Sequence, residues 1–133
     1  MMKAQGIGLI ELLVALAVLG ILASVMLPAY QQDVLRSYRL EAQQELLKVA
    51  GLQELLLADQ QRYTPDLTEL GLAAKVITTS SGRYRISAEL TEQGYQLEAL
   101  AVSVQQQDLD CQRFSLTSLG QKQSAPRSNC WMH

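Results

Sequence analysis

The pattern of apolar and polar positions changes three times along the chain. Residues 7–29 are almost wholly apolar, and Glu11 is the only charge among them. At about 1.5 Å per helical residue, such a run can cross a hydrocarbon layer of about 30 Å, so the pattern predicts a membrane helix. From Gln31 to Tyr63 the composition turns polar, yet Leu35, Tyr38, Ala42, Leu46, Val49 and Leu56 recur every three or four residues. That spacing makes one apolar stripe on an amphipathic helix. No proline interrupts it, so the two segments are expected to form one helix of about 80 Å. Leu40, Leu47 and Leu55 fall off the stripe and are either incidentally exposed or available to neighbouring helices.

Thr64-Pro65 ends the helical pattern, because the residue before proline is driven out of helical geometry. The following residues 64–71 fit a short turn closed by Gly71. Beyond it the period shifts to two. Tyr84, Ile86, Ala88 and Leu90 alternate with polar residues, as do Tyr95, Leu97, Ala99 and Ala101 after a turn at Gly94. Phe114 and Leu116 mark a third strand over residues 112–116. Residues 121–129 are polar, contain Pro126 and show no period, so they read as a loop. The expected fold class is α+β: a long N-terminal helix packed on a small antiparallel sheet, since so small a sheet cannot hide its apolar face alone.

An acid in an apolar helix demands a reason, because a carboxylate at the bilayer centre costs roughly 2.5 kcal/mol or more. Glu11 must reach water or headgroups at the interface, or find a cation. Gly20 and Pro28 lie in the same run, where glycine weakens helix and proline removes a donor and can kink it. An ordinary secretory signal fits poorly: the apolar centre is too long and Met26-Leu27-Pro28-Ala29 is a poor cleavage site. Lys3 orients the helix with its C-terminus outward.

Lys3, Gly6 directly before Ile7, Glu11 as the fifth residue from Ile7, and the spacing to Gly20 and Pro28 resemble the N-terminal signature of type IV pilins. Two departures are Ile7, where family members usually have Phe, and Gly8, where Thr is frequent. The resemblance implies a leader, residues 1–6, cleaved between Gly6 and Ile7 by a prepilin peptidase, with N-methylation of the new Ile7 amine. It implies that residues 7–30 serve as transmembrane and assembly segment, with Glu11 pairing with a neighbour's amine and Gly20 to Pro28 able to bend or melt. Residues 31–133 would then be a periplasmic globular pilin domain. An ion pair of this kind attracts strongly in low dielectric, though desolvation removes much of the gain, so its main product is register.

The remaining features refine that expectation. The outward orientation puts Cys111 and Cys130, the only cysteines, in an oxidising compartment, which favours a disulfide over a metal pair or a nucleophile. Residues 111–120 with the terminal Cys130-Trp131 are similar to the disulfide-closed C-terminal region of pilins, in particular the PilE-like minor pilins. Trp131 is either an aromatic packed beside the disulfide or an anchor for a partner. The 133 residues leave room for one small domain after the helix, and a net charge of −2 gives no broad nucleic-acid signal. Residues 111–133 nevertheless hold Arg113, Lys122 and Arg127 without an acid. These are the candidate DNA contacts, against the alternative of a solvated loop.

No catalytic constellation, cofactor or metal site is expected. His133 is the only histidine and the last residue, Gly6-Ile7-Gly8 lacks the third glycine and preceding strand of a phosphate cradle, and Asp108 with Asp110 reads as a solvated turn. The expected function is a minor structural subunit of a type IV pilus, supporting pilus biogenesis, motility or adhesion. Its expected partners are prepilin peptidase, other pilin subunits and the assembly platform. It would reside in the inner membrane first and in the fibre or its tip afterwards. The alternatives are a DNA-binding competence pilin and a type II secretion pseudopilin, the latter disfavoured because major pseudopilins usually lack the C-terminal disulfide and carry calcium.

Overall fold

A computed structural model describes Gly6 and residues 8–132. One helix, α1, runs Leu9–Gln60. It is followed by a 3-10 turn at Leu67–Leu70 and five strands: β1 Ile77–Thr78, β2 Tyr84–Thr91, β3 Gly94–Ala101, β4 Cys111–Thr117 and β5 Lys122–Pro126, with a second 3-10 turn, Ser103–Gln107, between β3 and β4. The chain divides into two compact units between Val34 and Leu35. In the first, every helical residue from Leu9 to Ala29 is exposed in the single chain, and a helix apolar all round is one that lipid or other protein must cover.

The second unit is built on a five-stranded antiparallel meander in the order β1-β2-β3-β4-β5. Strand β3 alternates strictly, with Tyr95, Leu97, Ala99 and Ala101 buried. Register places Ala99 opposite both Ile86 and Phe114, and Leu97 opposite Ala88 and Leu116, so three strands contribute to one apolar face. Over that face lie Ala42, Leu46 and Val49 of α1, all fully buried. Phe114 is central: its ring lies 5.9 Å from Tyr84 and 5.7 Å, edge-on, from Trp131. Trp131 is thus packed beside the disulfide, and its indole Nε1 donates to the Gln123 carbonyl at 2.7 Å.

The predicted helical stripe holds, but it includes two residues that hydrophobicity does not mark. Gln43 and Gln53 are buried on the same face. Gln53 donates to the Thr64 carbonyl at 2.6 Å and accepts from the Thr64 amide at 3.1 Å, so one side chain completes the loop backbone where the helix ends. Gln43 does the same farther along, donating to the Cys130 carbonyl at 3.1 Å and accepting from the Met132 amide at 3.2 Å.

The expected turn before the sheet is present. Asp66 caps it by accepting from the Thr68 amide, and Gly71 closes it at φ 86°. Hydrogen bonds from the Thr68 hydroxyl and amide hold the Asp66 carboxyl below its ordinary pKa. Gly94 is required at the β2–β3 turn, since it sits at φ +135° and a Cβ there would run into the Ser118 side chain.

Two strands were not legible. β1 is only two residues long, and residues 121–129, expected as a loop, contain β5. β5 is an exposed edge strand of lysine, glutamine, serine, alanine and proline, a composition that discourages further pairing and leaves no apolar alternation to detect. Cys111 and Cys130 form the expected disulfide, with Cα atoms 5.9 Å apart, tying β4 to the C-terminal segment.

Two stability predictions follow from this packing. Replacing both cysteines by serine should lower unfolding free energy by about 3 kcal/mol in the chain-entropy account of a loop this size, measured by urea denaturation of the detergent-solubilised chain. Burial pushes the Tyr84 hydroxyl up to about 12, and burial with the nearby Glu54 pushes Tyr95 up to about 12. Both folded values lie above that of an unfolded tyrosine, so their contribution is complete below about pH 10 and lost as pH rises toward about 12. The part of the tyrosinate absorbance that is lost when Tyr84 or Tyr95 is changed to phenylalanine should therefore rise together with unfolding in that window, not ahead of it.

Candidate functional site

Two regions carry the candidate functional residues. The first is the apolar half of α1. Glu11 lies in the first turn of the helix, where the positive end of the helix dipole favours a carboxylate, and it is exposed. Around it Leu9, Ile10, Leu12, Leu13 and Val14 are all more than half exposed. The Ser24 hydroxyl donates to the Ile21 carbonyl at 2.7 Å, so this polar group is satisfied within the helix as a low-dielectric surrounding requires. Gly20 and Pro28 both lie inside continuous helix. Gly6 is exposed with open space about it, while Lys3, Ile7 and His133 lie outside the described residues. In the second unit Leu40, Leu47 and Leu55 are exposed on α1.

The second region is the C-terminal segment with the helix surface beside it. Sheet register separates the three predicted cations. Arg113 stands on the outer face with Leu100 and Ala125, and its guanidinium is 3.3 Å from Glu98. Lys122 pairs with Leu116, whose side chain is buried, and its ammonium lies 5.3 Å from the centre of the Trp131 ring. Arg127 follows β5 and approaches Asp110 at 3.7 Å. Arg127 instead shares a cleft of about 390 Å³ with Arg36 and Arg39 of α1, together with Asn129, Trp131 and Met132. Arg36 and Arg39 were missed as candidates, and the only sequence signal for them is their spacing of three on one helical face.

Asp108 is not in a solvated turn. It is buried and accepts two hydrogen bonds from Arg39, at 2.5 Å from Nε and 2.6 Å from Nη2. Gln105, fully buried, adds a hydrogen bond to Asp108 at 3.3 Å, and also bonds the Tyr84 hydroxyl and the Leu35 carbonyl. The bond to Asp108 holds the Arg39 guanidinium above its usual pKa. Sequence could not reveal this pair, because its members are 69 residues apart. Among the described residues no cluster of three or more His, Cys, Asp or Glu is placed to hold a metal.

Comparison with known proteins agrees with this architecture. Residues 1–27 match the prokaryotic N-terminal methylation motif, and residues 28–115 match the family model described as type IV minor pilin ComP, DNA uptake sequence receptor. The chain belongs to the type IV pilin family. It is 34% identical over 90 residues to fimbrial protein EcpC of Eikenella corrodens, covering 68% of this chain and 56% of that protein. It is also 31% identical over 86 residues to the type IV major pilin protein PilA of Myxococcus xanthus strain DK1622, covering 65% of this chain and 38% of that protein. The matched segments thus span less than two thirds of these relatives' own length. A type IV pilin structure from Shewanella oneidensis superposes with a TM-score of 0.55 at 24% identity, covering 74% of this chain and 99% of that one, which shows the shared fold. The family is one of structural pilins and not of enzymes.

The Arg39–Asp108 pair gives a direct test of what holds the C-terminal region to the helix. Arg39→Met should cost roughly 3 kcal/mol, since it leaves Asp108 buried without its cation. In a double-mutant cycle with Asp108→Leu, measured by urea unfolding, the second change should restore part of that loss and give a clearly non-additive total.

Proposed function

We propose that this chain is a minor structural subunit of a type IV pilus. The observation that carries the reading is the fully exposed apolar stretch of α1 with a single carboxylate, Glu11, in its first turn. Such a surface needs either lipid or the helices of other subunits around it. Residues 1–6 act as leader, a prepilin peptidase cuts between Gly6 and Ile7, and the Ile7 amine is methylated. Residues 7–30 first anchor the chain in the inner membrane, with the domain of residues 31–133 in the periplasm. The assembly platform then draws the subunit into the fibre or its tip, where Glu11 pairs with a neighbour's terminal amine. Gly20 and Pro28 supply a bend or local melting as the helices pack. The match to a minor-pilin family and the Cys111–Cys130 bond favour the pilus over a type II secretion system.

Gly6→Ala should leave the protein uncleaved and absent from sheared fibres, whereas the wild-type chain should begin at Ile7 by mass spectrometry of the mature protein. Glu11→Ala should be cut normally yet recovered poorly in fibres. Normal processing of the Gly6 variant would remove the peptidase assignment.

A second reading, DNA binding during uptake, is favoured by the description of the family model matching residues 28–115 as a DNA uptake sequence receptor. Its candidate contacts are Arg113, Lys122 and Arg127. Since Arg113 stands on the outer face of the sheet and is paired with Glu98, changing Lys122 and Arg127 together to alanine should weaken a gel shift more than Arg113→Ala does. The binding should also fall steeply with added salt, as phosphate contacts release counterions.

A further inference from the structure

The cleft between α1 and the C-terminal segment holds more positive charge than the domain uses. Arg39 lines it and is engaged by Asp108. Arg127 reaches Asp110 at 3.7 Å with both side chains well exposed, a pairing worth little in water. Arg36 has no ion pair among the described residues, although Asp33 precedes it by one helical turn. No acidic side chain lines the cleft itself, while Asn129 adds a neutral hydrogen-bonding amide. Two weakly committed guanidiniums facing one cavity make a forked donor set that suits phosphate oxygens better than any apolar or cationic ligand.

The place of these arginines in the sequence indicates which phosphate they meet. The apolar run ends at Ala29, and exposed Tyr30 follows, a residue type enriched at the membrane interface. Arg36 comes only six residues after Tyr30 in the sequence, a short tether to the headgroup layer that borders the apolar run. Long cationic side chains reach back toward that layer. We propose that, in the membrane-anchored state on which the pilus reading rests, Arg36 and Arg127 clasp the phosphate of an anionic phospholipid headgroup, with Arg39 lining the same cleft. The contact holds the domain down on the bilayer before assembly and is released when the subunit leaves the membrane.

Trp131, the only tryptophan in the chain, lines this cleft and reports on its occupancy. The full chain is reconstituted into phosphatidylcholine nanodiscs with increasing phosphatidylglycerol, and Trp131 emission is followed. A saturable shift is expected, weakened about tenfold by either Arg36→Gln or Arg127→Gln and only partly restored by lysine at either position, since lysine keeps the charge and loses the fork. Both arginines are exposed, so these variants should fold normally. Insertion without any shift, or glutamine variants that respond like wild type, would overturn the headgroup site and leave the pilus reading intact. An equal shift on adding glycerol phosphate to pure phosphatidylcholine discs would assign the cleft to free phosphate, and a shift with duplex DNA at lower concentration would assign it to DNA. Either result overturns the lipid proposal. Failure of the wild-type chain to enter neutral discs at all would instead overturn the membrane reading itself, and the site with it.

Discussion

Apolar contact between Leu46, Val49 and the inner face of the sheet is strong but indifferent to small shifts along the helix, because burial has no direction. Buried amides supply the direction. Gln53 holds the backbone of Thr64 at both its donor and its acceptor, Gln43 bridges the Cys130 carbonyl and the Met132 amide, and Gln105 returns to the helix at the Leu35 carbonyl. Each bond adds only about 1 kcal/mol net, yet a slip of the helix would leave several buried polar groups unpaired at once, at about 1–3 kcal/mol each. The helix is thereby fixed along its length against loop, sheet and chain end, and everything placed by that docking inherits its precision.

The same helix must meet two unlike surroundings, and its pattern shows the exchange. Up to Ala29 it is apolar all round, with its one serine satisfied internally. From Leu35 onward only one face is buried, and the other carries charge. A backbone that makes its own hydrogen bonds is indifferent to whether lipid or neighbouring helices surround it. An exposed carboxylate in the first turn is not indifferent. Glu11 is therefore the position in this segment at which a change of surroundings has an electrostatic consequence, and aliphatic neighbours such as Leu9 and Leu12 add attraction without specifying an axial offset.

How much of this was written visibly in the chain depends on whether burial coincides with hydrophobicity. Ala42, Leu46, Val49 and the alternation of β3 were plain because apolar residues stand where the core requires them. The disulfide followed from there being two cysteines and from the outward direction expected of the apolar helix. Gln43, Gln53 and Gln105 were hidden because a glutamine that clamps backbone looks the same in sequence as one facing water. β5 was hidden for the complementary reason: an edge strand is held by backbone bonds to one neighbour and needs no apolar side chains. Glu11 stands out because a lone charge in an apolar run leaves a local mark, whereas the cleft of Arg36, Arg39 and Arg127 joins segments nearly ninety residues apart.

Charge is the property that local reading misjudges most in this domain. Residues 111–133 carry three cations and no acid, which suggests a basic surface. Folding brings acids from elsewhere: Glu98 to Arg113 across the β3–β4 pair, and Asp110 to Arg127 around the disulfide. Lys122 turns toward the other side of the sheet, over Trp131. Meanwhile α1 contributes Arg36 and Arg39 from a stretch where Asp33 and Glu41 make the composition look balanced. Because Asp108 takes up Arg39 in full hydrogen-bonded geometry and Asp110 stands 3.7 Å from Arg127, the cation of this cleft without an ion pair among the described residues is Arg36, on the helix side of the C-terminal segment. An anionic group entering the cleft would meet Arg36 unpaired and would compete with Asp110 for Arg127. The outer face of the sheet, with Glu98 beside Arg113, presents a pair already closed to it.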